Sequence, residues 1–168
     1  MNRKVIFLSI LLIGLVIAML VVFSLANKSV SAKVPLPCYF SVRYNVANVR
    51  TGPGEEYPIV WIYKLKGVPV KAVAKYKDWY QVEDFSGKNG WIASKNLSSY
   101  KTARTLEKVN LYRNPTDKSP VVASIDAGLI LHILFFKDEY VKVVLLANKV
   151  KLSGWALRSK LWGAVIKP

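Results

Sequence analysis

The sequence has very little of the residue types that most often carry catalysis or hold a metal. Among its 168 residues there is one cysteine, Cys38, and one histidine, His132. A single cysteine excludes a disulfide within the chain, and it cannot build a zinc site by itself. The sequence also lacks a glycine-rich phosphate loop of the kind that binds nucleotides. We therefore predict no catalytic residue, no metal and no cofactor, and we expect a protein that is not an enzyme.

Neither of these two residues needs a catalytic or metal-binding interpretation. His132 lies in the strand-like run 129–136, so we expect it to be packed or half-exposed on a strand. Cys38 follows Pro37 in a polar stretch. We expect a thiol in a linker, with an intermolecular disulfide as the alternative. Lipid attachment is not expected, because a lipid-modified cysteine needs a small residue directly before it.

Acidic residues are also scarce. The chain has 25 Lys and Arg against 10 Asp and Glu, which gives a net charge of +15. The carboxylates are scattered at turns, whereas a glycosidase needs two that face each other across a cleft. The positive charge favours anionic partners. For an exported chain these would be anionic envelope surfaces rather than nucleic acid, although a basic surface without any partner is equally consistent with the composition.

Long apolar runs are absent except for one at the N-terminus. Residues 5–25 carry no charge, and as a helix they match the roughly 30 Å hydrocarbon core of a bilayer. Arg3 and Lys4 come before this run, so the N-terminus is expected to stay in the cytoplasm. The run is either an uncleaved signal anchor or a signal peptide that is cut after Ala32, where residues 29–32 read Ser-Val-Ser-Ala. Both alternatives predict an exported protein that meets the membrane through its N-terminal segment.

After this run the sequence reads as two similar modules joined by short linkers. Residues 26–39 are polar and contain proline, which predicts a tether. Beyond them, short runs rich in Val, Ile, Tyr and Trp alternate with Gly, Pro, Asn and Asp, a pattern that predicts many short strands. We expect an all-β chain with one module at 40–99, a connector at 100–105 and a divergent second module at 106–163. The two copies match at shifts of 61 to 64 residues, pairing Asn48 with Asn110, Pro53 with Pro115, Gly67 with Gly128, Trp79 with Tyr140, and Trp91 with Trp155.

The first copy contains the signals for five short strands. These are expected over residues 46–50, 59–65, 68–74, 79–84 and 90–93, with a long turn rich in Gly and Pro between the first two. No stretch after residue 33 keeps an apolar period of 3.6 over three turns, so no helix longer than about two turns is expected there. Five short strands in so small a segment predict a small barrel, and two packed barrels bury more surface than one.

The first copy resembles a bacterial SH3 domain, also written SH3b or SH3-like. The residues that carry the resemblance are Asn48-Val49-Arg50-Thr51-Gly52-Pro53-Gly54, Tyr57-Pro58, Gly67, Trp79 and Gly90-Trp91-Ile92. The whole chain is most similar to the tandem SH3-like proteins that alphaproteobacteria export. That similarity rests on a leader, a Leu-Pro before the first module, the run Pro58 to Trp61, and Leu161-Trp162-Gly163 near the end.

The resemblance implies a fold, a compartment and a class of ligand. It implies two tandem SH3-like barrels behind the N-terminal transmembrane or signal helix. It also implies a place at the inner membrane facing the periplasm, or in the periplasm if the leader is cleaved. The wider family implies binding to peptidoglycan or its peptides. The second copy departs from the pattern, because residues 112–117 replace the first turn and residues 147–151 lengthen the last hairpin, so it is not expected to bind the same ligand.

Aromatic side chains are the best candidates for a ligand site, since sugars and peptides are often held by aromatic faces and a few polar groups. We select Arg50, Tyr57, Trp61, Trp79 and Trp91. The alternatives are that Trp61 and Trp91 pack in the core or between modules, and that Arg50 only hydrogen-bonds within its turn. The sequence thus predicts a non-catalytic cell-envelope module that recognises peptidoglycan or an envelope protein peptide. The alternative is a membrane-tethered structural or scaffold protein that makes only protein–protein contacts.

Overall fold

The computed structural model describes residues 12–20, 34–147 and 150–165. The chain divides into two units, Met1–Val34 and Pro35–Pro168. In the first unit residues 12–20 are helical. None of the helices in the described part of the chain is both long and apolar enough to cross a membrane. Most of the apolar run 5–25, and the whole of the expected cleavage site, lie outside the described residues.

The second unit contains two seven-stranded antiparallel sheets that follow each other along the chain. The first has the strand order β3-β2-β6-β5-β4-β1-β7. The strands are β1 (Cys38–Val42), β2 (Ala47–Arg50), β3 (Ile59–Tyr63), β4 (Pro69–Tyr76), β5 (Trp79–Glu83), β6 (Asn89–Ala93) and β7 (Leu97–Ser98). A 3₁₀ turn, Ser94–Asn96, joins the last two.

The second sheet repeats this topology strand for strand, with the order β10-β9-β13-β12-β11-β8-β14. Its strands are β8 (Thr102–Thr105), β9 (Val109–Tyr112), β10 (Val121–Ile125), β11 (Ile130–Lys137), β12 (Tyr140–Ala147), β13 (Val150–Leu157) and β14 (Leu161–Trp162), with a 3₁₀ turn at Arg158–Lys160. Bulges recur in equivalent strand pairs, at Ala72/Ala74 and at Ile133/Phe135. The predicted repeat of two β modules is therefore confirmed.

Each sheet packs around its own hydrophobic cluster. The first cluster is built on fully buried side chains such as Val49, Val82 and Ile92, and the second on Leu111, Leu131 and Val143. In β5, Tyr80 and Val82 are buried while Trp79 and Gln81 are half-buried, because successive side chains of a strand point to opposite faces.

The first strand of each module was not expected from the sequence. Cys38, predicted to lie in a tether, begins β1 and is buried. The expected connector 100–105 contains β8, in which Thr102 and Thr105 are buried. Both segments lack a clear apolar alternation, so only their pairing with β4 and β11 reveals them as strands. The expectation of a linker thiol is therefore wrong.

Candidate ligand groove of the first module

One surface groove of the first module gathers aromatic side chains from three separate parts of the chain. Its volume is about 460 Å³. We call it the module-1 groove. Its walls come from the first turn, from the turn between β4 and β5, and from β6; the lining residues are Pro53, Glu56, Tyr57, Tyr76, Lys77, Asp78, Trp79 and Trp91.

Two glycines in the first turn leave room for the side chains of Tyr57 and Glu56. A Cβ atom on Gly52 would overlap the ring of Tyr57, and one on Gly54 would overlap the carboxylate of Glu56. Gly52 therefore has to lack a side chain if the ring of Tyr57 is to fold back over the turn, whereas the Glu56 carboxylate ends a flexible side chain and could move away from a Cβ atom at position 54. The Gly-Pro-Gly sequence is thus directly linked to the shape of one groove wall.

Arg50 fastens this turn rather than lining the groove. Its Nη1 donates a hydrogen bond of 2.7 Å to the main-chain oxygen of Tyr57. The amide of Thr51 donates another, of 3.0 Å, to the oxygen of Pro58. Arg50 also lies opposite Trp91 in the β2–β6 register. The structure therefore fits the alternative in which Arg50 makes a hydrogen bond within its own turn.

The opposite wall is the tight turn between β4 and β5. Lys77 adopts a left-handed conformation there, with φ of 48°, and Asp138 at the equivalent turn of the second module has φ of 50°. Ser94 donates two hydrogen bonds of 2.8 Å to the main-chain oxygen of Asp78, one from its amide and one from its hydroxyl. These bonds hold the turn, and with it Trp79, against the start of the first 3₁₀ turn.

Two tryptophans complete the groove from neighbouring strands. Trp79 and Gln81 lie on the same face of β5, and Gln81 lies opposite Trp91 on β6 in the strand register. Both tryptophans are half-buried, because the inward positions of these strands are taken by Tyr80, Val82 and Ile92. Both side chains therefore keep part of their surface accessible in the groove.

Trp61 is the one selected aromatic residue that the structure does not bring to the groove. It packs against the first hydrophobic cluster, with its ring edge-on to Tyr63 at 6.1 Å. Within the described residues neither Trp61 Nε1 nor Tyr63 Oη has a hydrogen-bond partner, although both are buried. Burial raises the pKa of Tyr63 to about 12, with the neighbouring Trp61 acting in the opposite direction. The core-packing alternative fits Trp61, whereas Trp91 lines the groove.

Tyr63 gives the fold a specific alkaline sensitivity. Its pKa is higher in the folded state, so its contribution to stability is complete below pH 10 and is lost as the pH rises through about 12. Tyr63→Phe removes this ionisation together with an unpaired buried hydroxyl. We expect the variant to be at least as stable as the wild type near pH 8, and its advantage in unfolding free energy to grow by about 2–3 kcal/mol near pH 12. Urea unfolding at both pH values measures this difference.

The matched control is Tyr100→Phe, since the Tyr100 side chain is 79% exposed. It removes the same hydroxyl group without touching a core. If both variants gain equally at high pH, the burial of Tyr63 is not the cause.

The groove also offers charges of both signs, which sequence reasoning missed. Lys77 supplies an ammonium group, and Glu56 and Asp78 supply carboxylates. All three, like Pro53, stand in turns, where a charged residue on its own gives no sign of a binding role. Their position beside the selected aromatics, Tyr57 and Trp79, was the only available clue. Nowhere in the described residues do three or more His, Cys, Asp and Glu side chains gather as a metal site would require.

The second module does not reproduce this arrangement. Ser119 stands at the position of Tyr57; it is buried, and its hydroxyl accepts a hydrogen bond of 2.9 Å from the Asn114 amide. Trp155, at the position of Trp91, is only 9% exposed. The ring of Phe135 packs edge-on to it at 5.2 Å. The equivalent face of the second module is therefore filled by its own side chains.

The repeated topology and the motif of the first turn can be compared with known families. The family model described as a bacterial SH3 domain matches residues 43–99 and 106–163. The chain belongs to the bacterial SH3 domain family. The two bacterial SH3 domains coincide with the two sheets, apart from β1 and β8 at their beginnings. No curated protein matches this tandem bacterial SH3 chain.

Solved structures that resemble the tandem bacterial SH3 chain are distant. NlpC1 from Trichomonas vaginalis is 15% identical, with 79% of this chain covered, 48% of that chain and a TM-score of 0.34. NlpC2 from the same organism is 14% identical, with 77% and 49% covered and a TM-score of 0.33. An NlpC/P60 family protein from Bacillus cereus is 16% identical, with 73% and 55% covered and a TM-score of 0.33. The chain spans about half the length of these proteins.

Proposed function

We propose that this chain is a non-catalytic binding protein of the cell envelope, whose first module recognises peptidoglycan or a peptide through the module-1 groove. One observation carries the proposal. Three aromatic side chains, Tyr57, Trp79 and Trp91, converge in that groove from separate segments. In the second module a serine replaces the first of them, and the equivalent of the last is buried. Membership of the bacterial SH3 family supports a binding role for such a groove.

The chemistry of the groove suits a ligand that carries both apolar faces and charges. Aromatic faces pack against sugar rings and apolar side chains, and a few polar groups set the orientation. Lys77 is placed to bind a ligand carboxylate, and Glu56 and Asp78 are placed to bind ammonium groups through charge-assisted hydrogen bonds. The peptide of peptidoglycan presents both kinds of charge.

The compartment belongs to the same proposal. The uncharged run 5–25, with Arg3 and Lys4 before it, supports export to the periplasmic side of the inner membrane. N-terminal sequencing of protein from cells distinguishes an intact anchor from cleavage after Ala32. A reporter fusion after residue 33 that is active only in the cytoplasm would contradict export.

The test of the binding proposal is co-sedimentation of residues 33–168 with purified sacculi. This segment includes the whole compact unit Pro35–Pro168, with both hydrophobic clusters. The net charge of +15 makes general attraction to an anionic wall the main rival. Raising the salt from about 0.1 M to about 1 M shortens the screening length from about 10 Å to about 3 Å and suppresses that attraction. We expect most binding to survive, and complete loss at the higher salt would contradict recognition by the groove.

A further inference from the structure

A second groove, distinct from the module-1 groove, lies where the two modules meet. We call it the junction groove. Its volume is about 420 Å³, within the range of small-molecule sites. Its lining is mainly apolar and aromatic and includes Leu36, Tyr39, Phe40, Tyr100 and Val165. The chain between the modules, the strand β1 and the end of the second module all contribute.

Direct packing between the modules holds the walls of this groove in place. The ring of Tyr39 meets the ring of Trp162 edge-on, with centroids 5.3 Å apart. The guanidinium of Arg104 lies over the ring of Phe85 at 4.2 Å. At Gly163 of the second module, where φ is 93°, a Cβ atom would lie 3.1 Å from the Cβ atom of Pro69 in the first module. The two modules thus touch closely beside the groove, so its shape is set before any ligand arrives.

The polar groups of the junction groove point to an anion. Its two charged lining residues are Lys71 and Lys101, both cationic. Lys71 also pairs with Glu83 at 3.4 Å, a partly exposed contact of small energetic weight. Thr102, between the two modules, also lines the groove and is 3% exposed. Among the described residues its hydroxyl has no hydrogen-bond partner. Buried hydroxyls nearly always have a hydrogen-bond partner, so the Thr102 hydroxyl is available to donate to an acceptor on a ligand.

The backbone around the junction groove is unsuited to an extended peptide. The strand β1 is paired on one side by β4 and on the other by β7 at Ser41 and Val42. The strand β8 is paired on one side by β11 and on the other by β14 at Arg104 and Thr105. Any backbone edge left open beside the groove is therefore shorter than an ordinary strand of about 5–6 residues, which leaves little for a peptide strand to add to. Pro35 and Pro37, on the same wall, have no amide hydrogen to donate. What remains is a mainly apolar surface that also carries two lysines and a threonine.

We propose that the junction groove binds a single-chain amphiphile with a carboxylate head, such as a long-chain fatty acid. The acyl chain lies along Leu36, Tyr39, Phe40 and Tyr100. The carboxylate is held by the Lys101 ammonium group and accepts a hydrogen bond from the Thr102 hydroxyl. This site shares no lining residue with the module-1 groove, so a test of it does not depend on the proposal of wall binding.

Photo-crosslinking on the full chain tests the proposal, with a diazirine derivative of palmitic acid as the probe and the matching hexadecanol derivative as its neutral counterpart. Trypsin releases peptide 34–43, which carries one wall of the groove. We expect the fatty acid to label this peptide and the alcohol to label it about tenfold less. The alcohol lacks the carboxylate, so it loses the charge-assisted hydrogen bond to the Lys101 ammonium group. Labelling of the apolar run 5–25 reports partition alone and serves as the internal standard. Equal labelling of peptide 34–43 by both probes overturns the proposal.

Two substitutions sharpen the result. Thr102→Val keeps the shape and removes the unpaired hydroxyl, so we expect it to fold at least as stably as the wild type and to lose labelling about fivefold. Lys101→Glu is expected to lose it about tenfold or more. Lys118→Glu, in an exposed turn of the second module, carries the same charge change and is expected to label normally. If Thr102→Val and Lys101→Glu label like Lys118→Glu while their melting temperatures are unchanged, the junction groove is not a carboxylate site.

Discussion

Trp79→Ala is expected to weaken sacculus binding by about 30-fold or more while leaving the fold intact. Truncating an aromatic anchor at a hot spot costs at least about 2 kcal/mol of binding free energy, which corresponds to that factor. Trp79 is only half-buried and lines the module-1 groove, so its removal leaves no closed cavity in the core. Loss of a fully buried tryptophan would instead cost about 3–5 kcal/mol of stability. Co-sedimentation at about 1 M salt and thermal melting separate the two effects.

The matched control for Trp79 is the equivalent residue of the second module. Tyr140→Ala removes an aromatic ring at the same point of the repeated topology, where Ser119 replaces Tyr57 and Trp155 is buried. We expect it to bind sacculi like the wild type. Equal losses from Trp79→Ala and Tyr140→Ala, or none from either, would refute recognition by the first module. In that case the alternative of a scaffold held by protein contacts would gain support.

The second large effect concerns the core of the first module. Ile92→Ala is expected to lower the unfolding free energy by about 2–5 kcal/mol, because it removes apolar contacts and leaves a cavity. Ile92 is fully buried in β6, among Val49, Val70 and Val82. Since a domain has only about 5–15 kcal/mol of net stability, this is a large share. Urea unfolding followed by tryptophan fluorescence measures the loss.

Ile62→Ala is the control for Ile92→Ala, because it deletes the same atoms from the edge strand β3. Its side chain is 43% exposed, and substitutions at such positions usually change stability by no more than about 0.5 kcal/mol. Comparable losses from the two variants would mean that Ile92 does not stand in a packed core.

Much of this architecture could be predicted from local pattern. The alternation in Trp79-Tyr80-Gln81-Val82 and the glycine and proline turns predicted five strands of the first module, and the structure has strands at each of those places. The strands β1 and β8 could not be predicted, because Cys38 and Thr102 are small or polar residues that become buried only through pairing with distant strands. Burial of that kind is a property of the assembled sheet and leaves no local periodicity.

The sequence by itself determined the repeat and the β character of both modules, and it selected Tyr57, Trp79 and Trp91 as candidates together with Arg50 and Trp61. This was possible because strand alternation and turn conformation depend on residues that are close together in the sequence. The tertiary structure alone decided that Trp61 packs with the core, that Arg50 fastens the turn, and that Glu56, Lys77 and Asp78 join the groove. It alone created the junction groove, since residues from the two modules meet there only after each sheet has packed around its own core. Contacts between distant segments depend on which face each strand presents, and that choice is made by packing rather than by sequence neighbours.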